Sequence, residues 1–343
     1  MTRLRGKRVL LTGATSGIGL AAVERFAAAG ADLALLARGE AALAEAAAVA
    51  REHGGAVHVF PVDLGDRAAA EAAVAGAVAA LGGLDVLVSN AGAVAFGHFL
   101  EVPPDDFDRT VQVTFTGAVN VIRAALPELR ATRGTLVATS SIMARMPLPA
   151  FSSYTAAKHA LRGFLNAVQV EEREQRTGVR VALVAPGPTD TPIYARATSA
   201  TGRAPAILPD AYHADEVAAV LVESAVRPRR ERIVGGESRL VDLGYRTARP
   251  VVELLLVHVD RWFRTGTGRR SADLVRHARA AAPPRLRASA PRSPLARPGR
   301  PPPTRARSID AHSAPGAADG AVPVRNQRST WTSSSSTTGR AVR

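Results

Sequence analysis

The chain has 343 residues, 46% of them hydrophobic, enough to bury the core of one large domain or two small ones. It contains no cysteine, which excludes disulfides, cysteine nucleophiles and thiolate metal sites and fits a reducing cytoplasm. The net charge of +14 invites a nucleic-acid reading, but residues 265–343 hold fifteen arginines against three acids (Asp273, Asp310 and Asp319), a net of +12, which leaves only +2 for residues 1–264. The part able to fold is therefore nearly neutral, and a nucleic-acid partner is not expected.

At the start, the basic stretch Met1–Arg8 is followed only by Val9, Leu10 and Leu11 before Thr12-Gly13, too short for a signal-peptide core. Nowhere do eighteen apolar residues run together, so no membrane-spanning helix is expected. Short apolar runs at 8–12, 33–37, 57–60, 84–89, 135–140 and 179–185 read as buried strands. Longer alanine-rich stretches between them, at 17–30, 40–53, 66–82, 105–131 and 154–176, carry helical spacing, with Gly30 and Gly54-Gly55 at expected helix ends. One further short strand is expected at Arg232–Val234. Such alternation predicts an α/β fold, a doubly wound parallel sheet with helices on both faces, over residues 1–240.

Residues 241–264 form an apolar extension. Its segment 250–263 is broken by Glu253, His258 and Asp260, and is expected to be a helix packed on the domain or on a second subunit. A membrane-surface role for it is the less favoured alternative, because the polar face is small. From 265 to 343, ten prolines, a Ser/Thr run from Thr332 to Thr338 and no periodicity predict a solvated, disordered tail.

Chemistry enters at Thr12-Gly13-Ala14-Thr15-Ser16-Gly17-Ile18-Gly19, between the first strand and the first helix. Glycines at 13, 17 and 19 let backbone N–H groups approach a pyrophosphate at the positive end of that helix. This context is what turns a glycine-rich turn into a dinucleotide-binding motif. The loop is followed in order by Asn90-Ala91-Gly92, Ser141, Tyr154-x3-Lys158 and Pro186-Gly187. The set resembles the short-chain dehydrogenase/reductase family over residues 6–240. The resemblance implies strand order 3-2-1-4-5-6-7 on a Rossmann-type sheet.

An acid at the end of the second strand would take the ribose hydroxyl of NAD and repel a 2′-phosphate. That place is held by Ala37, followed by Arg38, whose guanidinium fork suits a phosphate, so NADP(H) is favoured over NAD(H). By resemblance, Asp63 and Leu64 contact the adenine, Asn90, Ala91 and Gly92 line the site, and Pro186, Gly187, Thr189 and Thr191 approach the nicotinamide carboxamide. Thr15, Ser16 and Ile18 complete the phosphate loop as further expected cofactor-binding residues.

Reducing a carbonyl needs a hydride on carbon and a proton on oxygen. Tyr154 and Lys158 are four residues apart and share one helix face. An ammonium ~4 Å from a phenolate at an effective dielectric of about 20 stabilises it by ~4 kcal/mol, enough to bring the phenol from ~10 to ~7. Tyr154 is thus the expected general acid/base. The resemblance adds that Lys158 bonds the nicotinamide ribose and Ser141 holds the substrate oxygen. It also implies an asparagine in the fourth helix supporting a proton relay. Thr114 stands there, whose hydroxyl can still hold a water.

Phe96, Met143, Met146, Phe151, Tyr194 and Ile207 make the expected substrate walls apolar, pointing to a small hydrophobic ketone, aldehyde or alcohol. Arg196 and Arg203 are candidates for an anion. Homo-oligomerisation through 105–131 and 154–176 is implied by the resemblance alone. The competing reading is a non-catalytic NADPH-binding sensor or scaffold of the same fold.

Overall fold

A computed structural model describes residues 4–202, 205 and 211–265. Arg203, Ile207 and all but the first residue of the tail expected over 265–343 lie outside the described residues, as does the whole second unit, Leu286–Arg343, into which the chain divides; Thr265 itself closes the last helix.

Seven strands, β1 (Arg8–Thr12), β2 (Asp32–Ala37), β3 (Val57–Pro61), β4 (Val86–Ser89), β5 (Thr135–Thr139), β6 (Arg180–Pro186) and β7 (Glu231–Val234), form one parallel sheet. Their order is β3-β2-β1-β4-β5-β6-β7, as the resemblance implied. Successive strand residues point to opposite faces, and here both faces are apolar. Val9, Leu11, Leu33 and Leu35 enter one core, while Leu10, Ala34, Leu36 and Leu87 enter the other.

Each core is closed by helices. The first is covered by α1 (Gly17–Ala28), α2 (Glu40–Arg51) and, later in the chain, α7 (Ala214–Val226), through Val23, Phe26, Leu43, Val217 and Leu221. Arg25 of α1 also pairs with Asp215 of α7. The second core is covered by α3 (Arg67–Leu81), α5 (Gly117–Thr132) and α6 (Ser152–Glu174), through Val74, Val121, Ile122, Leu161 and Leu165. The connections leave β1 toward β2 on one side and reach β4 on the other. The strand order therefore reverses beside β1, and a crevice opens at the C-terminal ends of these strands.

The helix expected over 105–131 is present as a continuous helical run interrupted by a π turn. α4 (Pro104–Val111) passes through a π turn, Gln112–Thr116, into α5. Inserting such a turn shifts the helix face by a residue, which apolar periodicity does not reveal. It carries Thr114 into the interior, where the side chain is fully buried. Two short bridges, Ala95–Phe96 with Thr198–Ser199 and Thr189–Asp190 with Tyr212–His213, order loops that carry no strand signal.

After β7 come α8 (Gly236–Thr247) and α9 (Arg249–Thr265). The expected boundary at 240 falls within α8, and Asp242 beyond it is held by the domain. Arg145 donates from Nε and Nη2 to both Asp242 oxygens (2.6 and 2.8 Å) and from Nη1 to Glu231 (2.6 Å), which also accepts from Arg162 (2.9 Å). The side chains of Arg145 and Asp242 are only 11% and 7% exposed. Arg145→Met leaves the buried Asp242 carboxylate without a cation, a defect costing roughly 3 kcal/mol, and the melting temperature should drop by roughly 6–12 °C. Calorimetry checks this, and an unchanged melting temperature would show that the cluster does not stabilise the fold.

Candidate active site

The glycine-rich turn lies at the reversal point of the sheet. Gly17 opens α1 with φ +52°, a left-handed conformation, and a Cβ there would stand 3.0 Å from Thr191. At Gly19 a Cβ would stand 1.9 Å from the carbonyl oxygen of Gly13, so the loop is folded onto itself with no room for a side chain. Ser16 precedes the helix as its N-cap residue, yet its Oγ does not cap the helix. It accepts instead from Nη1 of Arg196 at 3.0 Å. Thr15 is half-buried, and Ile18 packs against the first core.

Thr12, at the end of β1, organises the neighbouring turn. Its hydroxyl oxygen accepts the N–H groups of Asn90 (3.0 Å) and Ala91 (3.2 Å), and the Asn90 amide donates back to the carbonyls of Thr12 and Gly13. The Thr114 hydroxyl clasps the same turn from the π turn, accepting from the N–H of Ala93 (3.0 Å) and donating to its carbonyl (3.2 Å). Gly92 lies beneath that hydroxyl.

At the end of β2, Ala37 is partly buried and Arg38 exposed. Asp63, after β3, accepts from Arg109 (2.5 Å) and from the N–H of Gly65 (2.9 Å). Burial pushes its carboxyl up, but these bonds and the charges of Arg109 and Arg38 outweigh it and hold the group below its usual range. Leu64 is buried, with its carbonyl accepting from Asn120 at 3.0 Å. In the loop after β6, beyond Pro186, the Thr189 hydroxyl donates to the Gly187 carbonyl (3.0 Å) and that of Thr191 to the Thr189 carbonyl (3.4 Å).

Ser141 stands two residues beyond β5, while Tyr154 and Lys158 share one face of α6. The structure brings all three together. Ser141 lies near enough to the Tyr154 phenol to draw its pKa down, and its Oγ accepts the N–H of Met143 at 3.1 Å. Lys158 is buried; its Nζ donates to the carbonyl of Thr139 at 2.7 Å and lies 5.6 Å from the centre of the Tyr154 ring.

The electrostatics differ from the sequence expectation of a phenol near neutrality. Burial, reinforced by Tyr194, pushes the Tyr154 phenol well above its ordinary value, against the opposing influence of Ser141. Burial also brings the Lys158 ammonium down to about 8. The simple attraction between ammonium and phenolate leaves out the cost of removing both from water, and here that cost dominates.

Around these groups Val94, Phe96, Ile142, Met143, Met146 and Phe151 form a buried apolar cluster, joined by Tyr154, Ile193 and Tyr194. The rings of Phe96 and Phe151 are 5.1 Å apart. Leu256 of α9 is buried in the same cluster, with Val252 and Tyr245 packed against it, which sequence reasoning missed. The apolar run around Leu256 was visible, but nothing in it pointed to this wall. Thr12, Arg109 and Arg145 were also missed. Only Thr12 had a signal, as the residue that opens the glycine-rich motif.

A doubly wound parallel sheet with a glycine-rich turn at its reversal point, and Ser, Tyr and Lys gathered beside it, defines a nucleotide-binding oxidoreductase fold. The short chain dehydrogenase family profile matches residues 7–202, more than half of the sequence, and the chain belongs to that family. It is 35% identical over 239 residues to an uncharacterized oxidoreductase of Mycobacterium tuberculosis, a match spanning 66% of each chain, just under two thirds of the relative's length. It is 36% identical over 194 residues to the 2,5-dichloro-2,5-cyclohexadiene-1,4-diol dehydrogenase LinX of Sphingobium indicum, covering 56% of this chain and 77% of that one. Among solved structures, an alcohol dehydrogenase from Thermococcus sibiricus complexed with 5-hydroxy-NADP aligns with a TM-score of 0.60 at 25% identity, covering 66% of this chain and 95% of that one.

Proposed function

We propose that this protein interconverts an apolar carbonyl compound and the corresponding primary or secondary alcohol with NADP(H), using Tyr154 as the proton donor and acceptor. The observation that carries this reading is the meeting of Ser141, Tyr154 and Lys158 inside an apolar cluster, with the lysine anchored on Thr139.

The residues suit a dinucleotide. The closed turn at Gly19 and the start of α1 at Gly17 cradle a pyrophosphate, and Arg38 offers its fork to a 2′-phosphate. Thr189 and Thr191 stand for the carboxamide, Asn90–Gly92 for the floor, and Asp63 and Leu64 for the adenine. A nicotinamide held by these residues would supply or accept the hydride at the substrate carbon. Ser141 orients the substrate oxygen. Tyr154, held neutral by burial, is the form that gives a proton to a carbonyl oxygen, and the Lys158 ammonium stabilises the phenolate left behind. Thr114 acts as a positioning residue for the 90–93 turn, with one lone pair left for a relay water.

Depletion of NADPH across a panel of apolar ketones and aldehydes tests the activity. NADPH binding with no turnover of any of them would favour the sensor or scaffold reading. Cofactor choice is tested separately. The absence of an acid at position 37 supports NADP(H) here. Ala37→Asp places a carboxylate where the 2′-phosphate would lie, and kcat/KM should shift toward NAD(H) by roughly tenfold or more. A wild-type preference for NAD(H) would overturn the assignment to Arg38.

A cytoplasmic homo-oligomer is part of the same proposal. The exposed groove between α5 and α6, lined by Leu126, Pro127, Phe164 and Val168, suits self-association. Neither nucleic acid nor a metal is assigned a part.

A further inference from the structure

The last two helices turn apolar side chains in two directions. On the inner side of α9, Leu256 and Val252 join the cluster around Tyr154. On the outer side, Val251, Leu254 and Leu255, at helical spacing, are 59%, 64% and 59% exposed. Leu240 and Leu243 of α8 share one helix face and are 70% and 55% exposed. A run of large apolar side chains left in water on consecutive helices marks an interaction surface.

Charge decides what covers it. Two of the four acids on these helices are engaged: Asp242 is buried against Arg145, and Glu253 accepts from Arg249 and Tyr245, while the side chain of Asp260 lies outside the described residues. Glu237 remains exposed, beside exposed Arg239 and Arg246. Where α9 ends at Thr265, the sequence continues into 78 residues carrying a net charge of +12. A second copy carries the same segment and the same sign of charge, so it supplies no counter-charge. The chain's own tail shares that sign and is poor in large apolar residues. An anionic lipid surface satisfies both features, taking the leucines into its headgroup boundary and the arginines among its phosphates.

We infer that α8 and α9 dock on the surface of a bilayer rich in acidic phospholipid, without crossing it. Among the described residues no helix is long and apolar enough to span a membrane. The docked helix also forms a wall of the apolar cluster at Tyr154, so a lipophilic substrate would leave the bilayer beside that cluster. This last step alone rests on the activity proposed above; the docking itself does not.

Flotation of the full-length protein with phosphatidylcholine vesicles containing roughly a third phosphatidylglycerol tests the docking. The wild type should float with these vesicles, far less with pure phosphatidylcholine, and progressively less as salt rises. Leu254→Glu/Leu255→Glu keeps every arginine and should weaken partitioning by roughly tenfold or more. Circular dichroism and NADPH titration report whether the variant is folded, and the milder Leu254→Ser/Leu255→Ser serves if it is not. No flotation of the wild type would overturn the proposal. Flotation unchanged in the leucine variants would also overturn it, assigning binding to the basic tail alone. So would conversion of an oligomer to monomers by the same variants without loss of flotation, which would make this face a contact between copies.

Discussion

Tyr154→Phe should lower turnover on any confirmed substrate by roughly 10²–10⁴-fold, the usual effect of losing a positioned acid/base, while NADPH binding changes little. The substitution removes one hydroxyl and keeps the ring, which packs against the cluster of Phe96, Met143 and Phe151. Ser141 keeps its bond from the N–H of Met143, so its position survives the loss of the phenol. A second signature lies in pH. The Lys158 ammonium, brought down to about 8 by burial, is charged below that value and neutral above it. Carbonyl reduction should therefore decline as pH rises through about 8, because the charge that stabilises the phenolate disappears. Steady-state kinetics with NADPH in excess checks both. Near-wild-type turnover in the Tyr154→Phe protein would remove the mechanism.

Gly19→Ala should weaken NADPH binding by roughly a hundredfold, equal to about 3 kcal/mol, the upper end of what overpacking costs. The added Cβ would meet the Gly13 carbonyl oxygen at 1.9 Å and the Asn90 amide nitrogen at 2.8 Å. The first of these is backbone and cannot swing aside. The turn must open, carrying the N–H groups of α1 away from the phosphates. Gly163→Ala on α6 is the matched control: it is exposed, nothing lies within 4 Å of its added Cβ, and binding should be unchanged. Titration of NADPH fluorescence gives both affinities. Equal affinity in the Gly19→Ala protein would mean that this turn does not hold the cofactor.

The strands were legible because each is a short apolar run that alternates between two buried faces, as Val9, Leu10 and Leu11 show. The grouping of Ser141, Tyr154 and Lys158 was legible because two members sit four residues apart on one helix and the third follows a strand, so local spacing sufficed. What escaped was whatever depends on distant partners or on burial. The π turn at 112–116 is made by ordinary helix residues, and only the clasp of Thr114 on Ala93 shows its purpose. Arg145 and Asp242 are 97 residues apart, and neither has a local feature to announce the other. The upward push on the Tyr154 phenol escaped because it comes from the packed cluster around that side chain, not from the Tyr-x3-Lys spacing.

The junction at Arg145 makes the two ends of the fold mechanically continuous. The guanidinium grips α8 at Asp242 and the last strand at Glu231, and its own backbone lies four residues from Ser141. A lateral slide of α8 cannot occur without hauling on the segment that carries the serine. For anyone grafting the final helices of one relative onto another to retune selectivity, the arginine and the aspartate form a single unit of exchange. Transplanting the helix without its counterpart would leave a carboxylate stranded in the interior and the serine segment untethered.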